Sequence, residues 1–150
     1  MTNYKSVLVA VDLDGSPEQV IARAKALVSA DTKIHLLTVP FDPTYFYTSY
    51  AGAGGFSQDA SLPMEDQAAQ ASVEKLRSLI NDSGLNEAKP IVQFGRAAPV
   101  IVEQAERLSV DLIVVGSHGR HGVRLLLGST ANAVLHHAKC DVLAVRLRED

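Results

Sequence analysis

The chain is 150 residues long, enough for one domain that buries roughly 70% of its unfolded surface without a disulfide or metal staple. Hydrophobic residues at 47% and charged residues at 21% exclude wholesale disorder. The net charge of −3 excludes a nucleic-acid binder that relies on a basic surface, and one cysteine excludes both an internal disulfide and a four-cysteine zinc site.

The first apolar run, Val7 to Val11, is apolar on both faces, as in a parallel strand covered on each side. It is too short to span a bilayer, and no signal-peptide pattern surrounds it, so a cytoplasmic location without membrane insertion is the expectation. Asp12-Leu13-Asp14-Gly15 ends the strand. Ser16 offers an N-cap oxygen, Pro17 suits a first helical position and Glu18 favours the positive end of the helix dipole. Val20, Ile21, Ala24, Leu27 and Val28 recur at helical spacing, which predicts a helix over 17–30. A second strand is predicted from Ile34 to Val39.

Residues 40–62 break this rhythm. Six of the eight aromatic residues (Phe41, Tyr45, Phe46, Tyr47, Tyr50, Phe56) fall there among prolines and glycines, and connections of that length are usually functional or mobile. From Pro63, the positions Met64, Ala68, Ala71, Leu76, Leu79 and Ile80 predict a long helix, with Gly84 as its left-handed cap. Pro90 to Phe94 reads as a third strand, stopped by Gly95, and Pro99 opens a third helix. Asp111 to Val115 reads as a fourth strand. A Gly-rich loop, Gly116-Ser117-His118-Gly119-Arg120-His121-Gly122, follows, then a helix over about 129–138 and a last strand within 140–147. The alternation predicts one α/β domain over 1–150, a mostly parallel sheet with helices on both faces.

In such a sheet, ligands bind beyond the carboxyl ends of the strands, where strand order reverses. Two strand ends carry unusual residues: Asp12, and the loop that begins at Gly116. Glycines let backbone N–H groups approach a phosphate, and Gly128-Ser129-Thr130 adds a helix start with free N–H groups and two hydroxyls. An acidic residue on the opposite wall can accept hydrogen bonds from a ribose. These residues point to a nucleotide. Neither the G-x-x-x-x-G-K-[ST] nor the G-x-G-x-x-G pattern is present.

Gly116-Ser117-His118-Gly119, eight further residues, then Gly128-Ser129 resembles the nucleotide-binding signature of universal stress proteins. Val7 to Asp12, Asp111 to Val115 and Cys140 to Arg146 match in the same register. The resemblance implies a five-stranded parallel sheet ordered 3-2-1-4-5, ATP as ligand, with or without magnesium, and a homodimer paired through the last strand, about residues 140–147. It places Asp12 toward the ribose or adenine and the Val39 backbone against adenine. Ala10 and Val115 become apolar walls, and Gly116, His118, Gly119, Arg120, Gly128, Ser129 and Thr130 surround the phosphates. Two departures stand out: the commoner signature has nine residues between its second and third glycines, and many members carry Pro near Ala10.

Plainer readings stand beside these. Asp14 fits a turn residue, and a receiver domain fails because Phe94-Gly95 occupies the place of a phosphoacceptor Asp. His118 and His121 lack a third metal ligand, and Arg120 fits either a phosphate or solvent. Cys140 fits a small packing residue. No catalytic residue is identified: there is no G-x-S-x-G elbow and no base to position water. The expected function is an ATP-binding, homodimeric stress sensor or regulator acting on a protein partner. The alternatives are an interaction protein with a vestigial pocket and a slow ATP hydrolase.

Overall fold

Strands and helices alternate through the computed structural model, which describes residues 4–40, 58–85, 87–117 and 128–148, with 58–66 described as backbone only. The order is β1 (Ser6–Val11), α1 (Pro17–Ala26), β2 (Lys33–Thr38), α2 (Gln58–Ser83), β3 (Lys89–Val92), α3 (Ala97–Arg107), β4 (Leu112–Gly116), α4 (Ser129–His137) and β5 (Asp141–Val145). The strands form one parallel sheet in the order β3-β2-β1-β4-β5, as the family resemblance implied. The aromatic segment 41–56 and the loop residues His118, Gly119, Arg120, His121 and Gly122 lie outside the described residues.

Alternation along each strand divides the core between the two faces of the sheet. Val7, Val9, Val11, Leu36, Leu112, Val114 and Val145 pack under Val20, Ile21 and Ala24 of α1 and Leu76 and Ile80 of α2. Leu8, Ala10, Leu37, Ile113 and Val115 pack under Val100, Ile101 and Ala105 of α3 and Ala131 and Val134 of α4. None of the buried hydrophobic residues described is aromatic, and Tyr4 packs half-buried at the margin of one layer. Each fully buried Leu, Ile or Val contributes about 1.5–3 kcal/mol relative to exposure. Among the described residues no helix is long and apolar enough to cross a membrane.

Several boundaries differ from the sequence reading. Helix α1 stops at Ala26 rather than residue 30. Beyond it the Thr32 hydroxyl accepts from Ser29 N–H at 3.0 Å and donates to the Tyr4 carbonyl at 3.0 Å, so a side-chain turn replaces further helix. Ser16 occupies the N-cap position, but its side chain makes no cap bond, while Pro17 opens the helix as expected. Helices α2 and α3 begin five and two residues ahead of the prolines predicted to open them. First-turn N–H groups have no intrahelical partner, so Pro99 costs nothing there and Pro63, just behind a first turn, costs one bond. Ala68 and Ala71, predicted on the buried face of α2, are exposed; among the side chains described in this helix, Leu76 and Ile80 are the buried ones.

Helices α2 and α3 end in the same motif. After α2, Leu85 N–H donates to the Ile80 carbonyl and Gly84 N–H to the Asn81 carbonyl, with Gly84 at φ 80°. Lys25 Nζ donates to the Ser83 carbonyl at 2.7 Å, a cation at the negative end of the helix. After α3, Val110 N–H donates to the Ala105 carbonyl and Ser109 N–H to the Glu106 carbonyl, but the left-handed residue is Ser109, at φ 53°. Gly95 is a second obligatory glycine: its φ is 138°, and a Cβ there would meet Val100 Cγ2 at 3.0 Å.

Asp111, expected in β4, sits just before it and pins the start of β1. Its carboxylate accepts from Lys5 N–H at 2.9 Å and Ser6 N–H at 3.0 Å, while its own N–H donates to the Ser6 carbonyl at 2.9 Å. Burial works to raise the carboxyl's pKa, but the backbone N–H groups of Lys5 and Ser6 outweigh it and hold the group below its ordinary 3.8. A depressed folded pKa stabilises the protein above the unfolded value, and that contribution is lost as pH falls through the folded one. Asp111→Ala should therefore cost about 1 kcal/mol at neutral pH. In urea melts across pH 2–7, the gap from the unmodified protein should close at the acid end. Ser109→Gly should raise stability by about 1 kcal/mol by relieving the left-handed Ser, read as a higher urea midpoint at unchanged slope.

Candidate functional site

Strand β1 pairs with β2 on one side and β4 on the other, so successive connections leave it in opposite directions. That reversal is the switch point at which open α/β sheets bind ligands. Register sets the carboxyl ends level: Ala10 stands opposite both Leu37 and Val115, Val11 opposite Thr38, and Gly116 opposite Val145. Ala10 and Val115 are buried in one cluster, and Val39 packs half-buried against it. Val39 lies one residue past β2, which ends at Thr38 rather than at Val39 as read from the sequence.

Asp12 leaves β1 exposed and folds onto its own turn. Its Oδ1 accepts from Asp14 N–H at 3.0 Å and its carbonyl accepts from Gly15 N–H at 3.0 Å. One carboxylate oxygen is therefore engaged locally, and Asp14 is the turn residue expected. On the other wall, Ser117 N–H donates to the Val145 carbonyl at 2.6 Å, and Gly128 N–H donates to the Ser117 carbonyl at 2.5 Å. These two bonds bring the start of α4 back to the end of β4. Gly128 is the N-cap of α4, at φ −61° and ψ 153°, and as a glycine it has no side chain with which to cap the helix. The first turn of α4 places the exposed Ser129 and the half-buried Thr130 beside its N–H groups.

The structure thus gathers Ala10, Asp12, Val39, Val115, Gly116, Gly128, Ser129 and Thr130 at one end of the sheet; His118, Gly119 and Arg120 lie outside the described residues. The sequence reading missed Thr38. This residue is buried, and its hydroxyl donates to the Val11 carbonyl at 3.0 Å while its carbonyl accepts from Gln93 N–H at 3.2 Å. It ties the ends of β1, β2 and β3 directly beneath the crevice. The available signal was a lone hydroxyl closing an apolar run. A hollow of about 350 Å³ lined by Ala105, Glu106, Ala138, Lys139 and Cys140 lies instead at the amino ends of β4 and β5. There burial first, then the Asp141 and Asp111 carboxylates, push the Cys140 thiol pKa up, in keeping with a packing role.

The family model for the universal stress protein family matches residues 3–146. The chain belongs to the universal stress protein family. Universal stress protein A homolog 2 of Coxiella burnetii is 41% identical over 150 residues, covering 99% of each chain. Among solved structures, the protein MJ0577 superposes with a TM-score of 0.79 at 22% identity, covering 98% of this chain and 99% of its own. A universal stress protein solved in complex with cAMP gives 0.62 at 23% identity, covering 95% of this chain and 96% of its own. An Arabidopsis thaliana family protein with AMP bound gives 0.63 at 18% identity, covering 97% and 94%. At these identities the structural likeness speaks for the fold; the sequence match carries the family.

Thr38→Val keeps shape and removes the hydroxyl beneath the crevice. It should lower stability by about 1–2 kcal/mol, read as a lower urea midpoint at unchanged slope.

Proposed function

We propose that this universal stress protein binds an adenine nucleotide, ATP, in the crevice between the ends of β1 and β4 and acts as a homodimeric regulator. The observation that carries the reading is the glycine-capped start of α4, drawn back to the β4 end by the Ser117–Gly128 bond beside the switch point. The cAMP and AMP complexes of two structural neighbours support a nucleotide as the class of ligand.

The donor set suits such a ligand. Ala10, Val115 and Val39 offer an apolar floor to the adenine, and the Val39 backbone offers polar groups to its edge. Asp12 accepts hydrogen bonds from ribose hydroxyls through Oδ2. The N–H groups after Gly128 and the Ser129 and Thr130 hydroxyls receive phosphate oxygens, joined by Gly116, His118, Gly119 and Arg120. Among the described residues no group of three His, Cys, Asp or Glu could hold a metal ion, so magnesium would enter with the phosphates. Bound nucleotide bridges two chain segments, the Asp12 turn and the start of α4. Its affinity therefore differs between ordered and open crevices, the requirement for a population shift that a partner can read.

The dimer forms through β5. At the opposite edge, β3 is four residues long and carries Lys89 and Pro90, both of which discourage strand addition. On the β5 side, Val142, Leu143 and Ala144 are half-buried, and Leu135 of α4 is exposed at 44%. A second copy is the occupant this edge suits.

ATP or ADP should be released at about one per chain on denaturing the purified protein, and calorimetry with ATP and magnesium should give a binding signal; absence of both overturns the reading. Thr130→Asp places a like charge where phosphate binds and also favours the helix dipole. ATP affinity should fall at least about tenfold while melting temperature holds or rises.

A further inference from the structure

The two walls of the crevice part company at the switch point. The β1–β4 register ends at Ala10 opposite Val115; beyond it one wall is the Asp12–Gly15 turn leading into α1, and the other is Gly116–Ser117 joined to Gly128. A tie outside the sheet spans them. Gln19, in the first turn of α1, meets the backbone of Arg148 with both ends of its amide. Its Nε2 donates to the Arg148 carbonyl at 2.8 Å, and its Oε1 accepts from Arg148 N–H at 2.8 Å. The side chain thus pairs with the chain end as a neighbouring strand would. Only an amide can do this, because a carboxylate lacks the donor and an ammonium lacks the acceptor.

Both ends of the tie are anchored. Gln19 N–H donates to the Ser16 carbonyl at 3.2 Å, fixing the residue to the turn that Asp12 begins. Three residues before Arg148, the Val145 carbonyl accepts Ser117 N–H, and Ser117 in turn accepts Gly128 N–H. Between these anchors Leu147 packs against the core cluster beneath α1. A continuous path therefore runs from the Asp12 turn through Gln19, Arg148 and Val145 to Ser117 and the start of α4. Gln19 and Arg148 are 129 residues apart in the chain, so only the folded state creates this contact.

We propose that the Gln19–Arg148 clasp is a positioning device: it holds the Asp12 turn at a set distance from the Ser117–Gly128 stem and so pre-forms the phosphate side of the crevice. The proposal rests on the nucleotide reading above. Gln19 acts through Arg148, Val145 and Ser117 and touches no ligand itself. Because the stem serves the phosphates, loosening the clasp weakens ATP far more than adenosine.

The test compares the unmodified protein with Gln19→Ala and Gln19→Glu. The glutamate keeps the acceptor, loses the donor and sits where a carboxylate favours the helix dipole, so global stability is preserved. Amide exchange measured by NMR without ligand should quicken at Ser117 and Gly128 in both variants, with urea unfolding of Gln19→Glu unchanged. By calorimetry, ATP should bind about fivefold more weakly to Gln19→Glu and about tenfold more weakly to Gln19→Ala, while adenosine changes less than about twofold. Unchanged exchange at Ser117 and Gly128, or equal losses for ATP and adenosine, would overturn the proposal. If the unmodified protein binds no ATP, the nucleotide reading fails and the ligand half of the proposal fails with it. The exchange measurement then decides by itself whether the clasp holds the two walls.

Discussion

The arrangement on which everything else depends is the burial of β1 and β4 on both faces at once. A strand covered on each side presents apolar groups at every position, and its backbone polar groups must be satisfied within the sheet. Val7 to Val11 and Leu112 to Val115 meet both conditions: all are buried, and their in-plane partners are each other, β2 and β5. Helices must then cover both faces, with α1 and α2 on one side and α3 and α4 on the other. Once β1 is central and its two neighbours are reached in opposite directions, a crevice at its carboxyl end follows from topology.

Polar groups concentrate where this apolar slab stops. At the amino end, Asp111 collects the first N–H groups of β1, and the Tyr4 hydroxyl reaches the Asp141 carboxylate at 2.9 Å. At the carboxyl end, Thr38 satisfies the last carbonyl of β1, and Ser117 bridges β5 to Gly128. The two ends nevertheless differ in what they leave over. Asp111 spends both carboxylate oxygens on backbone, whereas Asp12 gives one to its own turn, and α4 begins at a glycine N-cap.

How much of this was legible in the sequence depended on the range of the interaction involved. Element type was readable because it follows from local pattern: doubly apolar runs for strands, spacing of three and four for helices, Gly84 for a left-handed stop. Boundaries were less so. Helix α1 ended early because the Thr32 hydroxyl reached the Tyr4 carbonyl, a partner 28 residues distant. The end of α3 at Ser109 carried no glycine to announce it, since tertiary packing of Val110 and Ala105 holds a left-handed conformation that local preference disfavours. The long helix buried Leu76 and Ile80 but left Ala68 and Ala71 exposed. Periodicity says which residues share a face, not how far that face is covered.

By itself, then, the sequence determined a parallel α/β sheet and an aliphatic core. It also marked the residue types at the two strand ends that carry chemistry, because strand burial, helix amphipathicity and glycine placement are properties of short stretches. The tertiary structure decided which of those residues meet. It set Ala10 opposite Val115, brought Gly128 back to Ser117 and engaged half of the Asp12 carboxylate in its own turn. It also recruited Thr38, Asp111 and Gln19, of which only Thr38 carries a local mark, a lone hydroxyl closing an apolar run. Their partners are carbonyls and N–H groups of distant segments, and only the assembled sheet places those groups within hydrogen-bonding distance.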